Sequence, residues 1–185
     1  MCYNIIGDCM IEINDLEKHK KCRVWLNEKP DIYYNAQDII VENFDANMSV
    51  SQNKRITIEI LLPRNASYYG LLGAEFIPDN SGMTTVRIAV SDCENNIFEN
   101  HMSYNFEKVI CGIPREYGNS VLNYIKANIE KINLPSGKLN FNIGAHGIIG
   151  SSCSVFGVLS GIVLMLLQID FDDNQKIKQE VMNNI

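Results

Sequence analysis

The residues of this chain whose types and spacing bear on chemistry are three histidines, six cysteines and one Gly/Ser-rich loop. His19, His101 and His146 are dispersed, without metal-ligand spacing, and no Cys/His/Asp triad can be named among them. Cys2, Cys9, Cys22, Cys93, Cys111 and Cys153 contain no C-x-x-C pair, so neither a zinc ribbon nor a thioredoxin-type dithiol is supported. The segment Gly144–Ser152 (GAHGIIGSS) stands apart because it directly precedes a long apolar run. Glycines and serines there can offer backbone N–H groups and a helix dipole to an anion. The plainer reading is a cap, with Ser151 or Ser152 accepting an N–H bond and starting the helix. No G-x-x-x-x-G-K-S/T occurs, which excludes P-loop nucleotide hydrolysis. The reading is therefore of no catalytic residue, no metal and no cofactor.

The elements that position this loop follow from hydrophobic periodicity. Phe106–Pro114 (FEKVICGIP) reads as a strand that stops at Gly112 and Pro114 and hands over to a helix. Val121, Leu122, Ile125, Ile129 and Ile132 recur at three- and four-residue spacing, placing one apolar face on a helix over 116–132. Lys138–Ile143 alternates as a strand, the Gly/Ser loop follows, and Ser154–Gln168 is a nearly all-apolar helix in which Gly157, Ser160 and Gly161 allow close approach. Upstream, Arg55–Pro63, Leu71–Ile77 and Thr84–Ser91 read as strands, with Asn65 to Gly70 a loop and 78–82 a turn. Residues 1–54 hold three further strand candidates, Cys2–Ile13, Cys22–Leu26 and Asp38–Phe44, as an accessory sheet or an extra layer. The tail from Asp172 carries Ile177, Val181 and Ile185 at helical spacing. Expected, then, is an α+β fold: a β-rich N-terminal extension over 1–54, a β-β-β-α-β-α domain over 55–170 and a helical tail over 171–185.

At 185 residues with a formal charge of −6, the chain suits one domain with its own core and is poorly suited to nonspecific attraction to nucleic acid or anionic membranes. The one basic cluster, Lys18 to Arg23, reads as a solvated loop or helix face. Between Lys138 and Asp170 no charge occurs, yet the helical part is shorter than the roughly 20 residues a span needs. No membrane association is expected. Free thiols and the absence of a basic-then-apolar leader place the chain in a reducing cytoplasm. Trp25, Tyr33, Tyr34, Tyr68 and Tyr69 read as core-edge aromatics, since interleaved basic residues of a stacking platform are sparse.

The order of elements over Arg55–Gln168 resembles the second domain of ribosomal protein S five, a two-layer sandwich shared by domain IV of elongation factor G, GHMP small-molecule kinases and Lon-type proteases. Domain IV is the closest local match. Its strand end G-x-x-P-K/R-E-Y is similar to Gly112-Ile-Pro-Arg-Glu-Tyr117, one residue shorter between Gly and Pro, and its His, Ser-Ser and Phe are similar to His146, Ser151, Ser152 and Phe156. The resemblance implies a binding module of translation, contacting a protein or ribonucleoprotein partner, the ribosome among the candidates, through loops 64–70 and 144–152. The binding residues it implies are His146, Gly147, Gly150, Ser151, Ser152, Tyr69 and Gly70. The alternative is a small-molecule phosphate site, because Ile149-Gly-Ser-Ser-Cys153 is similar to L-G-S-S-A of the GHMP phosphate loop. Lon-type serine–lysine catalysis at Ser152 fails for want of a base, since only Lys176 and Lys178 follow, in a polar tail.

Overall fold

The computed structural model describes residues 9–15, 20–62, 68–93 and 96–185. Strands β1 (Cys9–Asp15), β2 (Lys20–Leu26), β3 (Asp38–Asp45), β4 (Lys54–Leu62), β5 (Tyr68–Pro78), β6 (Met83–Val90), β7 (Val109–Cys111) and β8 (Gly137–Gly147) join in one mixed sheet. Its order is β1-β2-β4-β5-β8-β6-β3, with β7 pairing the far end of β8. Among the described strand pairs only β6–β8 is parallel. Helices α1 (Arg115–Ala127), α2 (Cys153–Leu167) and α3 (Asn174–Asn184) complete an α+β fold. Within the described part of 1–54, β1 and β2 extend one edge of the common sheet, and β3 closes the other. The part of the first strand candidate before residue 9 lies outside the described residues, as does 63–67 of the loop before β5.

Period-two alternation divides the sheet into two faces. On one, Cys22, Val24, Ile56, Ile58, Leu72, Phe76, Val86 and Ile88 meet the apolar faces of all three helices in the main core. On the other, Trp25, Leu61, Tyr69 and Leu71 pack with Ile32, with Phe98 and Met102 from the irregular segment between β6 and β7, and with Val109 of β7. The strand β8 serves both cores. Its register against β5 steps from Ala74↔Phe141 to Gly73↔Ile143, leaving Asn142 as a bulge. Leu139 and Phe141 thus face the helices, while Ile143 and Ala145 face the second core.

Helix α2 is buried on most of its circumference, as its composition predicts, and no helix among the described residues is long and apolar enough to cross a membrane. Gly161 is where α1 comes close: a Cβ there would lie 2.4 Å from the Tyr124 hydroxyl. Three expectations need correction. Helix α1 ends at Ala127, where Asn128 takes the Tyr124 carbonyl with its side-chain amide at 2.9 Å, and Ile129 and Ile132 reach the core from a turn instead. Within 106–114 only Val109–Cys111 is strand, because Phe106 to Lys108 leave the ladder to brace the Gly/Ser loop. The basic run ending at Arg23 is not a solvated face from Lys20 onward; it is strand β2, with Cys22 fully buried in the main core and Arg23 on the opposite face.

Candidate functional site

The Gly/Ser loop is shorter than its sequence suggests, and it is tightly braced. Gly144 to Gly147 belong to β8, so the loop proper is 148–152. His146 is not a loop residue: it is a half-buried strand residue whose Nδ1 lies 3.1 Å from the Gly112 carbonyl and whose ring meets Tyr117 edge-on at 5.9 Å. Tyr117 in turn stacks on Phe156 at 4.6 Å, so the Tyr, His and Phe of the two matched motifs form one packed column. Burial pushes the imidazole pKa of His146 below its ordinary value, with the Gly112 carbonyl and the carboxylates of Glu116 and Glu107 pulling the other way.

Ser151 and Ser152 divide the work expected of either one. The Ser152 Oγ accepts from the Val155 amide at 3.5 Å and caps α2. The Ser151 Oγ accepts from the Gly147 amide and donates to the Tyr69 carbonyl, both at 2.8 Å, joining β8 to β5. The Tyr69 amide also donates to the Gly150 carbonyl at 3.0 Å. Tyr69 and Gly70 themselves are buried strand residues of β5 and not an exposed loop, so their role at this site is one of support. At Gly70 a Cβ would lie 2.6 Å from Val155, so the glycine lets α2 pack on the sheet.

The residue that organises the loop is Glu107, which the sequence reading passed over. Its Oε2 accepts from the amides of Ile149 and Gly150, each at 2.8 Å, and Ser103 Oγ stands 3.4 Å from its Oε1. Gly147 leaves room for it, since a Cβ there would lie 2.3 Å from that same Oε2 and displace the carboxylate from its present position. The paired amides that a phosphate would use thus already hold a carboxylate of the chain. No spacing rule links Glu107 to Gly150 along the chain, so only the fold shows the pairing.

The outcome is a rigid tip with an apolar surface. Ile148 and Ile149 are 62% and 69% exposed, and the adjoining turn exposes Tyr104 at 71% and Phe106 at 68%. Their backbones are not free to collapse: Ile148 N bonds to Lys108 O at 3.2 Å and Phe106 N to Ser103 O at 2.9 Å.

A buried polar cluster holds the turn from beneath. Glu59 is fully buried on β4; its Oε1 accepts from the Met102 amide at 2.8 Å and the Tyr69 hydroxyl at 3.0 Å. Arg23, directly across the ladder, approaches its Oε2 to 3.5 Å and also donates to the Asn100 carbonyl at 3.1 Å. Burial raises the Glu59 pKa, against the lowering pull of the Met102 amide, Arg23 and Tyr69. His101, buried beside the Tyr69 ring at 5.9 Å, has its pKa lowered by burial. The groups resemble an acid–base set in composition only. Glu59 is wholly enclosed, and the open clefts of about 280 and 310 Å³ are lined by residues around Lys54, away from it. Among the described residues no group of His, Cys, Asp and Glu is arranged to hold a metal.

Comparison with known proteins adds no name to this geometry: no protein-family profile, curated protein or solved structure matches the chain.

Proposed function

We propose that this chain is a non-catalytic binding module that grips a protein partner, free or within a ribonucleoprotein, through the tip formed by 148–152 and the turn at 104–107. The observation carrying the reading is the set of four large apolar side chains held exposed on a hydrogen-bonded loop and the turn beside it. Solvent exposure of adjoining apolar side chains on braced backbone marks interaction sites, and the ordering cost of binding is already met in the free protein. Kinship with elongation factor G domain IV is part of the proposal. It is supported by three long strands, the short β7, a helix, a strand and a helix in that order over 54–167, by the strand order β4-β5-β8-β6, and by the Gly112 to Tyr117 turn leading into α1 beside the His146 column. The test is a paired one: the Ile148→Asp/Ile149→Asp variant should melt within about 0.5 kcal/mol of wild type, as exposed changes do, and should lose the partner retained by wild type in pull-downs from native lysate. Retained binding refutes the assignment.

The converging amides of Ile149 and Gly150 favour a second reading, a phosphate-binding loop. Glu107 must leave for a phosphate to enter. Thermal-shift screening with nucleotides and sugar phosphates separates the two, since a ligand at 100 times its dissociation constant adds about 2.7 kcal/mol. The binding-module reading expects no shift in the wild-type protein.

A further inference from the structure

Among the described residues, the second face of the sheet is covered only in part. Its uncovered half is built from β3, β6, the first half of β8 and the second half of β5, and none of the outward residues there belongs to either core. The register aligns them in rows. One row runs Val41, Arg87, Asn140, Glu75, Arg55 across five strands, and the next runs Asn43, Thr85, Lys138, Ile77. Ile39, Val41 and Ile77 are 42%, 48% and 46% exposed on this face.

The charges on these rows oppose those of the molecule. The chain carries 16 Lys and Arg against 22 Asp and Glu, yet the rows hold Arg87, Lys138 and Arg55 against the single carboxylate of Glu75. Arg55 neutralises that carboxylate at 2.7 Å. Arg87 forms no ion pair among the described residues, and Lys138 forms none within 4.0 Å among them. Among the described residues Arg87 is thus left without an ion pair, and Lys138 acts on the Asp79 carboxylate only from beyond 4.0 Å, between exposed isoleucines and valine on an acidic protein. Asp45 and Asp79 lie at the turn end of the face, with Asp79 held by Ser81 and Ser136.

We propose that this half-face is a second docking surface, separate from the 148–152 tip, and that its occupant is an acidic, amphipathic segment of a protein partner. Such a segment sets its apolar side chains on Ile39, Val41 and Ile77 and its carboxylates on Arg87 and Lys138, pointing away from Asp45 and Asp79. Charge complementarity selects this occupant over a second copy of the chain, whose net charge of −6 repels its like at long range. It also selects protein over nucleic acid, because the rows present no aromatic ring for a base to stack on.

The test uses the full chain and a labelled model peptide of alternating Glu/Leu helical pattern, with its Lys/Leu counterpart and a single-stranded oligonucleotide as competitors in anisotropy titrations at low and physiological salt. The Glu/Leu peptide should bind at least tenfold more tightly than the Lys/Leu peptide, and Arg87→Glu/Lys138→Glu should reverse that order while Ile148→Asp/Ile149→Asp leaves it unchanged. Because these are surface positions, a melting curve for each variant accompanies the titration. Equal binding by wild type and the charge-reversed variant overturns the proposal. So does tighter binding of the oligonucleotide, or a concentration-dependent dimer in sedimentation that Val41→Glu abolishes.

Discussion

Glu107 and Ser151 show how single side chains decide what the Gly/Ser loop can do. Ser151→Ala leaves the Gly147 amide and Tyr69 carbonyl without their shared partner and should cost about 1–3 kcal/mol, the range for buried polar groups left unmatched. Ser152→Ala, which removes only a helix cap, should cost about 1 kcal/mol. Denaturant melts that rank the two the other way would misplace the bracing role. Glu59→Ala leaves the buried Met102 amide and Tyr69 hydroxyl without their acceptor and should cost about 1–3 kcal/mol or more, as unmatched buried polar groups do. The histidines add a pH dependence. His101 and His146 both have folded-state pKa values below their ordinary ones. Their unfolded rings take up protons near pH 6.5 while the folded rings resist, so the unfolded state binds more protons and stability falls as pH drops below about 6.5. Urea melts from pH 8 to 5 should show this decline, and His101→Gln with His146→Gln should flatten it; an unchanged slope in the double variant would assign the decline to carboxylates. At this scale the sequence was legible where a rule is local. The cap at Ser152 follows from its place before an apolar run, but the burial of His146 and the role of Glu107 depend on contacts across 34 and 42 positions of chain, and no periodicity carries those.

Elements were legible to the extent that one periodicity ruled them. Strands β4, β5 and β6 and helix α2 lie within a few residues of where their patterns put them. The strand β8 does not follow this rule, because Leu139, Phe141 and Ile143 alternate as if they shared a face, whereas the bulge at Asn142 sends Ile143 to the other one. Alternation cannot report an extra residue that its own bulge absorbs. Glycines show the same limit in their energetics. Gly137 opens β8 at φ +149°, with the Ile77 carbonyl 2.3 Å from where a Cβ would sit, whereas Gly82 has φ +73° with open space around it. Gly137→Ala should therefore cost more than Gly82→Ala, with about 1–2 kcal/mol expected for the left-handed conformation alone at position 82. Chemical melts giving equal costs would mean that the β8 start relaxes without penalty.

Across the whole molecule, the two cores explain why so many connecting residues are ordered. The helices cover one face of the sheet, and Glu59 draws the irregular segment around Met102 onto the other, so that Tyr104, Phe106, Ile148 and Ile149 are presented from a fixed base. This arrangement is what the proposed contact surface needs. The binding claim stands or falls on where a partner touches the chain. A photo-reactive amino acid placed at Ile149 or Phe106, and at exposed Tyr33 as the control, tests it in cells of the native source. The account predicts a discrete adduct of one size from positions 149 and 106 and none of that size from 33. The same adducts from all three positions, or none from the tip, would contradict it.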